Sequence, residues 1–421
     1  MCYIISKRVR PLKIFSRKNK SLSSHKDAKV AFVIQRYGNE VIGGAEALAK
    51  QLAERFAVDL GWHVEVLTTT AKDYMSWANE YQEDIVTINK VQVRRFNSLC
   101  GRSRFFGLIH RFAMRYWPSF NRRSYLKPCT LFLEWIWLLA QGPVCPKLIS
   151  YLKNHLDDYD QVFFFTYLYY PTLWGYKTSV PKGVVITTAH DELPFHFHLV
   201  RRMLNTVQHI ITLNPEETAL VRTKLNGHLD KVQLAGLGID IPDTKFKTAI
   251  PVERNALYLG RISSGKGVAT LIDWMASGFK DVKLRLAGKV ESDLTLPTND
   301  QIDYRGFVSE DEKATLIDNA SVLINPSAHE SLSLIVLEAM ARKRPVLVNG
   351  NCAVLDHYAK ETKTVFSYKD QTGFVAALRR IFATDWDSAE KKADLEASSD
   401  WVRKHYSWPA VFAAYESTIK K

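Results

Sequence analysis

A chain of 421 residues exceeds one ordinary core and, at roughly 100–200 residues per domain, divides into two or three. Hydrophobic residues at 46% with 24% charged exclude a disordered chain. The net charge is +13, and five cysteines (Cys2, Cys100, Cys129, Cys145 and Cys352) are spread without a CxxC pair, which reads as free thiols in a reducing compartment with no structural zinc.

The charge is concentrated. Residues 1–26 hold Lys7, Arg8, Arg10, Lys13, Arg17, Lys18, Lys20 and Lys26 and no acid. This basic tail, taken as 1–27, lacks the apolar stretch of a secretory signal. A second acid-free stretch, 94–127, holds Arg94, Arg95, Arg102, Arg104, Arg111, Arg115, Arg122, Arg123 and Lys127. The remainder is slightly acidic, so the basicity is local and aimed at a polyanion. The most apolar run, 131–140, is interrupted by Glu134 and falls far short of the ~20 residues that span a bilayer.

From Ala28 the chain alternates strand and helix. AFVIQ (31–35) reads as a buried strand, and a helix follows Gly43-Gly44 with Ala45, Leu48, Leu52 and Phe56 on one face. HVEVLTTT (63–70), QVFFFTYLYY (161–170), VVITTAH (184–190) and HIITLN (209–214) read as further strands. Asn214-Pro215-Glu216-Glu217 opens a helix with a cap, a first-turn proline and an acid three residues on. A polar stretch up to Arg254 reads as a linker. The alternation then restarts with ALYLG (256–260), VKLRLAG (282–288), IDYRGFV (302–308), SVLINPS (321–327) and PVLVNG (345–350). Such alternation predicts an α/β fold of two doubly wound domains with parallel sheets, 28–240 and 254–404, whose ligands bind at the carboxyl ends of the strands.

Two motifs sit at such ends. Gly260-Arg261-Ile262-Ser263-Ser264-Gly265-Lys266-Gly267 joins two cations and flexible glycines at a helix start, the makings of an anion site. It nearly matches the P-loop, but Gly267 stands where that motif needs Ser or Thr. The second motif runs from His329 through Glu330, Ser331, Leu332, Ser333 and Leu334 to Glu338, Ala339 and Met340. Its acids can accept from sugar hydroxyls while its helix-start amides face an anion.

Glu330 and Glu338, with seven residues between them, resemble the E-x7-E signature of retaining glycosyltransferases with the two-Rossmann-domain (GT-B) fold, in the large family 4-like group 1. The resemblance covers about residues 28–420. It implies that Arg261 and Lys266 clasp the donor diphosphate, Glu330 contacts the transferred sugar and Glu338 the ribose. It also implies that Gly43 and Gly44 lie against the phosphates and sugar, and that His190 stands near the anomeric carbon. Phe307 and Val308 match the place where the family packs the nucleobase, although Phe307 alone reads equally as core. Residues 405–421 resemble the terminal helix that returns to the first domain. Ser331 replaces the family's usual glycine, and an insert at about 97–145 exceeds the family minimum.

The expected activity is therefore metal-independent, retaining transfer of a hexose or deoxyhexose. It runs from a nucleotide-diphosphate sugar to a saccharide or lipid-linked acceptor, with no cofactor. Eight aromatics among the basic residues of 94–127 suit an anionic membrane surface, which points to a cytoplasmic, peripheral enzyme of surface polysaccharide or lipopolysaccharide synthesis. The alternatives are a soluble acceptor, a sugar-nucleotide epimerase, or a nucleic-acid-binding protein using the same basic and aromatic stretch. No nucleic acid is expected.

Overall fold

The computed structural model describes residues 25, 27–41, 43–241, 250–251 and 254–419. Nearly all of the basic tail and most of the expected linker lie outside the described residues.

The first sheet has eight strands in the order β3-β4-β2-β1-β5-β6-β7-β8. They are β1 Lys29–Val33, β2 His63–Thr69, β3 Ile85–Ile88, β4 Val91–Phe96, β5 Gln161–Phe165, β6 Gly183–Ile186, β7 His209–Thr212 and β8 Val232–Leu234. Its helices are α1 Gly44–Arg55, α2 Phe106–Asn121, α3 Lys127–Gln141, α4 Pro146–Asn154, α5 Tyr170–Gly175, α6 His198–Thr206 and α7 Pro215–Arg222. The second sheet has six parallel strands in the order β11-β10-β9-β12-β13-β14. These are β9 Asn255–Leu259, β10 Lys283–Ala287, β11 Ile302–Tyr304, β12 Val322–Asn325, β13 Val346–Asn349 and β14 Val365–Tyr368. They carry α8 Val268–Gly278, α9 Glu310–Asp318, α10 Leu334–Ala341, α11 Ala353–Glu361, α12 Gln371–Ala383, α13 Ala389–Tyr406 and α14 Trp408–Glu416.

The strand order reverses beside β1 in one sheet and beside β9 in the other, the topological switch points where open α/β sheets bind ligands. The expectation of wholly parallel sheets fails at one edge. β3 pairs antiparallel with β4, joined by Asn89 and Lys90 at φ 48° and 70°. Two consecutive left-handed residues make the tight turn that suits a two-residue hairpin.

Two of the nine cations in the stretch read as aimed at a polyanion are internally paired. Arg94 donates to Glu65 at 2.7 Å and Arg95 to Asp84 at 3.1 Å, so these two cations serve the sheet. In the insert, Trp117 on α2 donates to Glu134 on α3 at 2.8 Å, and Trp137 on α3 to His110 on α2 at 3.1 Å. The crossed pairing means that α2 and α3 run antiparallel. Glu134 is completely buried. Its carboxylate also accepts from the His198 and Leu199 amides at 2.9 and 3.0 Å, capping α6 and fixing the hairpin to the sheet. The acid that interrupts the apolar run is its anchor.

At the chain's end, Phe412 and Tyr415 of α14 meet Phe56 of the first domain at 5.9 and 5.1 Å between ring centroids. A Cβ on Gly238 would stand 2.4 Å from the Trp408 ring, so the crossover into α14 needs glycine there.

Candidate active site

The chain leaving β1 brings Gln35 and Arg36 to the switch point. Glu46, in the first turn of α1, is buried and accepts from Gln35 at 3.0 Å and from the Arg36 guanidinium at 2.7 Å. Arg36 also donates to the Lys72 carbonyl at 2.7 Å. A Cβ on Gly43 would lie 2.0 Å from the Glu46 carboxylate, so the ion pair is what excludes a side chain there. The backbone at Gly43 is itself extended.

These groups wall a cavity of about 300 Å³ together with Tyr74, Tyr169, Glu192 and His190. Gly43 and His190 are thus brought to one cavity, while Gly44 stands exposed at the start of α1. Thr166 and Thr188, which follow β5 and β6 and also line it, have φ of 60° and 46°. β-Branched residues rarely adopt this region, and such strain gathers where a surface is shaped for binding. Glu192 accepts from the Tyr167 hydroxyl, and burial together with that carboxylate pushes the Tyr167 phenol well up.

Across from the first sheet, the 260–267 loop follows β9. Ser264–Lys266 forms one 3₁₀ turn, and α8 begins only after Gly267. Gly267 has φ 75°, and a Cβ there would stand 2.6 Å from the Pro326 carbonyl. Serine or threonine would be both strained and crowded, which separates this loop from the P-loop. Arg261 is exposed. The Ser264 amide already donates to Asp293 at 2.9 Å, so it is not among the donors the loop offers an anion.

Lys266 donates to Glu330 at 2.8 Å, with both side chains half-buried. The two motifs therefore meet, 64 residues apart. Glu338, midway along α10, is held by Lys313 of α9 at 2.8 Å; burial pushes its carboxyl up, against the pull of Lys313. Ser331 is exposed and Leu332 buried. Ser333 sits at φ 53° before α10, its hydroxyl accepting from Asn325 at 2.8 Å, and the first amides of α10 lack intrahelical acceptors. Phe307 follows β11 at 89% exposure, which removes the core reading; Val308 beside it is half-buried.

Sequence reasoning missed Arg36, Lys313 and Asp293, which carry no motif, and it passed over Glu46 although GGAE displays it. It assigned Asn214 only to capping, yet the Asn214 amide also donates to the Ser331 carbonyl at 2.8 Å. That bond joins the first domain to the loop of Glu330.

Residues 253–384 match the family model described as "Glycosyl transferases group 1", a segment that contains Arg261, Lys266, Glu330 and Glu338. The uncharacterized glycosyltransferase MJ1607 of Methanocaldococcus jannaschii is 28% identical over 39% of this chain and 44% of its own length, so that match spans less than half of the archaeal protein. The 2-deoxystreptamine glucosyltransferase of Streptomyces kanamyceticus is 28% identical over 68% of this chain and 76% of its own. Among solved structures, Anabaena Alr3699/HepE in complex with UDP aligns at a TM-score of 0.61 and 13% identity, covering 93% of this chain and 99% of that one. These matches support a GT-B glycosyltransferase. The GT-B fold places two Rossmann-like domains about a cleft, and both candidate half-sites lie at strand ends that border it.

Proposed function

We propose that the protein is a retaining glycosyltransferase that moves a hexose or deoxyhexose from a nucleotide-diphosphate sugar to a saccharide or lipid-linked acceptor. The observation that carries this reading is the Lys266–Glu330 bond, a cation and a sugar-type acceptor held together beside helix-start amides. An ammonium has three donors, so Lys266 can hold Glu330 and still meet a phosphate oxygen. As the diphosphate leaves, charge grows on its oxygens, and fixed cations and amides aimed there lower the barrier. Arg261, Lys266 and the amides of Gly44, Ser333 and Leu334 take that role. Glu330 orients the transferred sugar and Glu338 the ribose, with Phe307, Val308, Ser331 and Leu332 completing the donor site. His190 orients donor or acceptor without becoming a covalent nucleophile. The charge is supplied by side chains and amides, so activity should persist in EDTA. HepE was solved with UDP, which favours a uridine nucleotide as the first probe.

The acceptor enters the first-domain cavity beside His190. We assign it to the surface of an anionic membrane, where a surface polysaccharide or lipopolysaccharide is built. Phe105, Leu108, Phe112 and Tyr116 are exposed at and along α2, three to four residues apart and so on one face. Exposed Arg104, Arg111 and Arg115 flank them. Rings at the headgroups and cations near anionic lipid, each gaining ~1 kcal/mol, suit that surface. Among the described residues no helix is long and apolar enough to cross a membrane. A soluble acceptor, as the name of the Streptomyces relative suggests, is the second reading.

Two assays test the proposal. Slow hydrolysis should appear with one or a few members of a panel of UDP-, GDP- and TDP-sugars, and no hydrolysis of any member refutes the transferase assignment. Sedimentation with anionic vesicles should fail in high salt and on changing Arg104, Arg111 and Arg115 to Glu. Protein left in the supernatant at low salt refutes the membrane assignment and leaves the soluble acceptor.

A further inference from the structure

Asn214 makes two different bonds with the two ends of its amide. Its oxygen accepts from the Glu217 amide at 2.8 Å, capping α7. Its nitrogen donates across the domain boundary to the Ser331 carbonyl at 2.8 Å. Capping needs only the oxygen, and Ser or Asp caps as well as Asn does. The nitrogen is therefore surplus to the helix and specific to the bridge.

The bonds continue on both sides. Glu217 is buried and accepts from the Ala189 and Leu213 amides, each at 2.6 Å, and from the Thr187 hydroxyl. Ala189 immediately precedes His190. On the other side Ser331 immediately follows Glu330, and the next carbonyl, of Leu332, accepts from the Tyr358 hydroxyl at 2.7 Å. In a planar trans peptide the C=O and the following N–H point in opposite directions. Fixing the Ser331 and Leu332 carbonyls therefore fixes the directions of the Leu332 and Ser333 amides.

We propose that Asn214 is a positioning residue that ties the approach of the two domains to the aim of the Leu332 amide in the donor loop and, through Glu217, to the segment carrying His190. This rests on the reading of residues 330–334 as the donor loop. When the domains part, the Asn214–Ser331 bond breaks and the Ser331–Leu332 peptide is freed to turn. When they meet, the peptide is set in one orientation. That peptide is then set only while the first domain is in place, so a donor bound to the second domain alone meets a loop with one amide unaimed and reacts more slowly.

The full chain tests this with Asn214→Ser, which keeps a cap and loses the bridge, and Asn214→Ala, which loses both. Asn214→Ser should melt within about 2 °C of the parent, because Ser and Asn cap about equally. Its turnover on the best sugar nucleotide of the panel should nevertheless fall ~10-fold, the scale of one lost hydrogen bond. The dissociation constant for UDP should change much less, since the ribose contact is untouched. Amide exchange in residues 331–334 of the ligand-free protein should rise in Asn214→Ser, while exchange within α7 stays as in the parent. Asn214→Ala should add a lower melting temperature and faster exchange in α7. Parental turnover and parental 331–334 exchange in Asn214→Ser, with Lys266→Ala inactive, would leave Asn214 as a cap and overturn the proposal. If the parent hydrolyses no sugar nucleotide, the donor-site reading fails by itself. The exchange comparison then still decides the bridge: faster exchange at 331–334 supports it and unchanged exchange overturns it.

Discussion

Glu330→Gln separates the proposed sugar contact from the proposed phosphate contact. In the protein Lys266 is bound to Glu330 at 2.8 Å, with side-chain exposures of 26% and 17%. Two unit charges about 4 Å apart attract by roughly 4 kcal/mol at an effective dielectric of about 20. Desolvation and lost side-chain freedom reduce such a partly exposed pair to about 1 kcal/mol net. A glutamine keeps the shape and removes the charge, so Lys266 turns more completely to a bound diphosphate. Bare UDP or GDP should then bind as tightly as before or up to ~5-fold more tightly, the equivalent of that 1 kcal/mol. The sugar loses a charge-assisted hydrogen bond of about 1.5–3 kcal/mol, so turnover should fall by ~10- to 150-fold. Titration calorimetry with nucleotide and with sugar nucleotide reads the two effects separately, and initial rates read the third. Equal weakening of nucleotide and sugar nucleotide in Glu330→Gln would refute the assignment of Glu330 to the sugar.

Three further outcomes follow from the same geometry. Lys266→Ala should lower turnover by ~10²–10³ with a smaller loss of donor affinity; full activity in this variant removes Lys266 from the diphosphate site. Burial holds the Glu338 carboxyl above its ordinary range, and a ribose contact needs it ionised. Nucleotide affinity should therefore begin to weaken, as pH falls, above the range in which an ordinary glutamate protonates, and Glu338→Gln should lose that part of the dependence and keep only the part set by the nucleotide's own phosphate. Glu134→Ala strands the Trp117 indole and the two α6 amides, a loss of about 3–5 kcal/mol. Calorimetric melting should register roughly a 10 °C drop, and a change under 2 °C would show that the hairpin is anchored elsewhere.

The fold was legible where strands are buried on both faces, because runs such as AFV in β1 and ALYL in β9 leave few alternatives. It was illegible where polar residues find partners far along the chain. Arg94 and Arg95 read as surface charge, since Glu65 and Asp84 are 29 and 11 residues away. β4 was hidden behind them. Glu134 read as a break in an apolar run, because the α6 amides it caps lie more than sixty residues on. The candidate site divides in the same way. Lys266, Glu330 and Glu338 are visible through spacing along a loop and a helix. Lys313, which holds Glu338, and Asn214, which holds Ser331, depend on packing between elements that no local pattern reports.

The basic hairpin and the first-domain cavity are also joined by packing. Arg102, at the root of the hairpin, lies 5.9 Å from the ring of Tyr74 and 5.0 Å from that of Phe106. Trp77 is packed edge-on to Tyr169 at 5.2 Å. Tyr74 and Tyr169 line the cavity that also holds His190, and Phe106 begins α2. One layer of side chains thus separates the cavity wall from the start of the exposed face of Phe105, Leu108, Phe112 and Tyr116. A soluble sugar acceptor would give no reason to place such a face there, since exposed rings in a solvated insert are a liability. An acceptor held at a headgroup, as proposed above, would give a direct one, because docking the hairpin would fix how far the cavity stands from the lipid. Arg102 is half-buried between two rings, unlike the exposed Arg104, Arg111 and Arg115. Its substitution should therefore disturb the cavity wall more than vesicle binding, whereas the three exposed arginines should show the reverse.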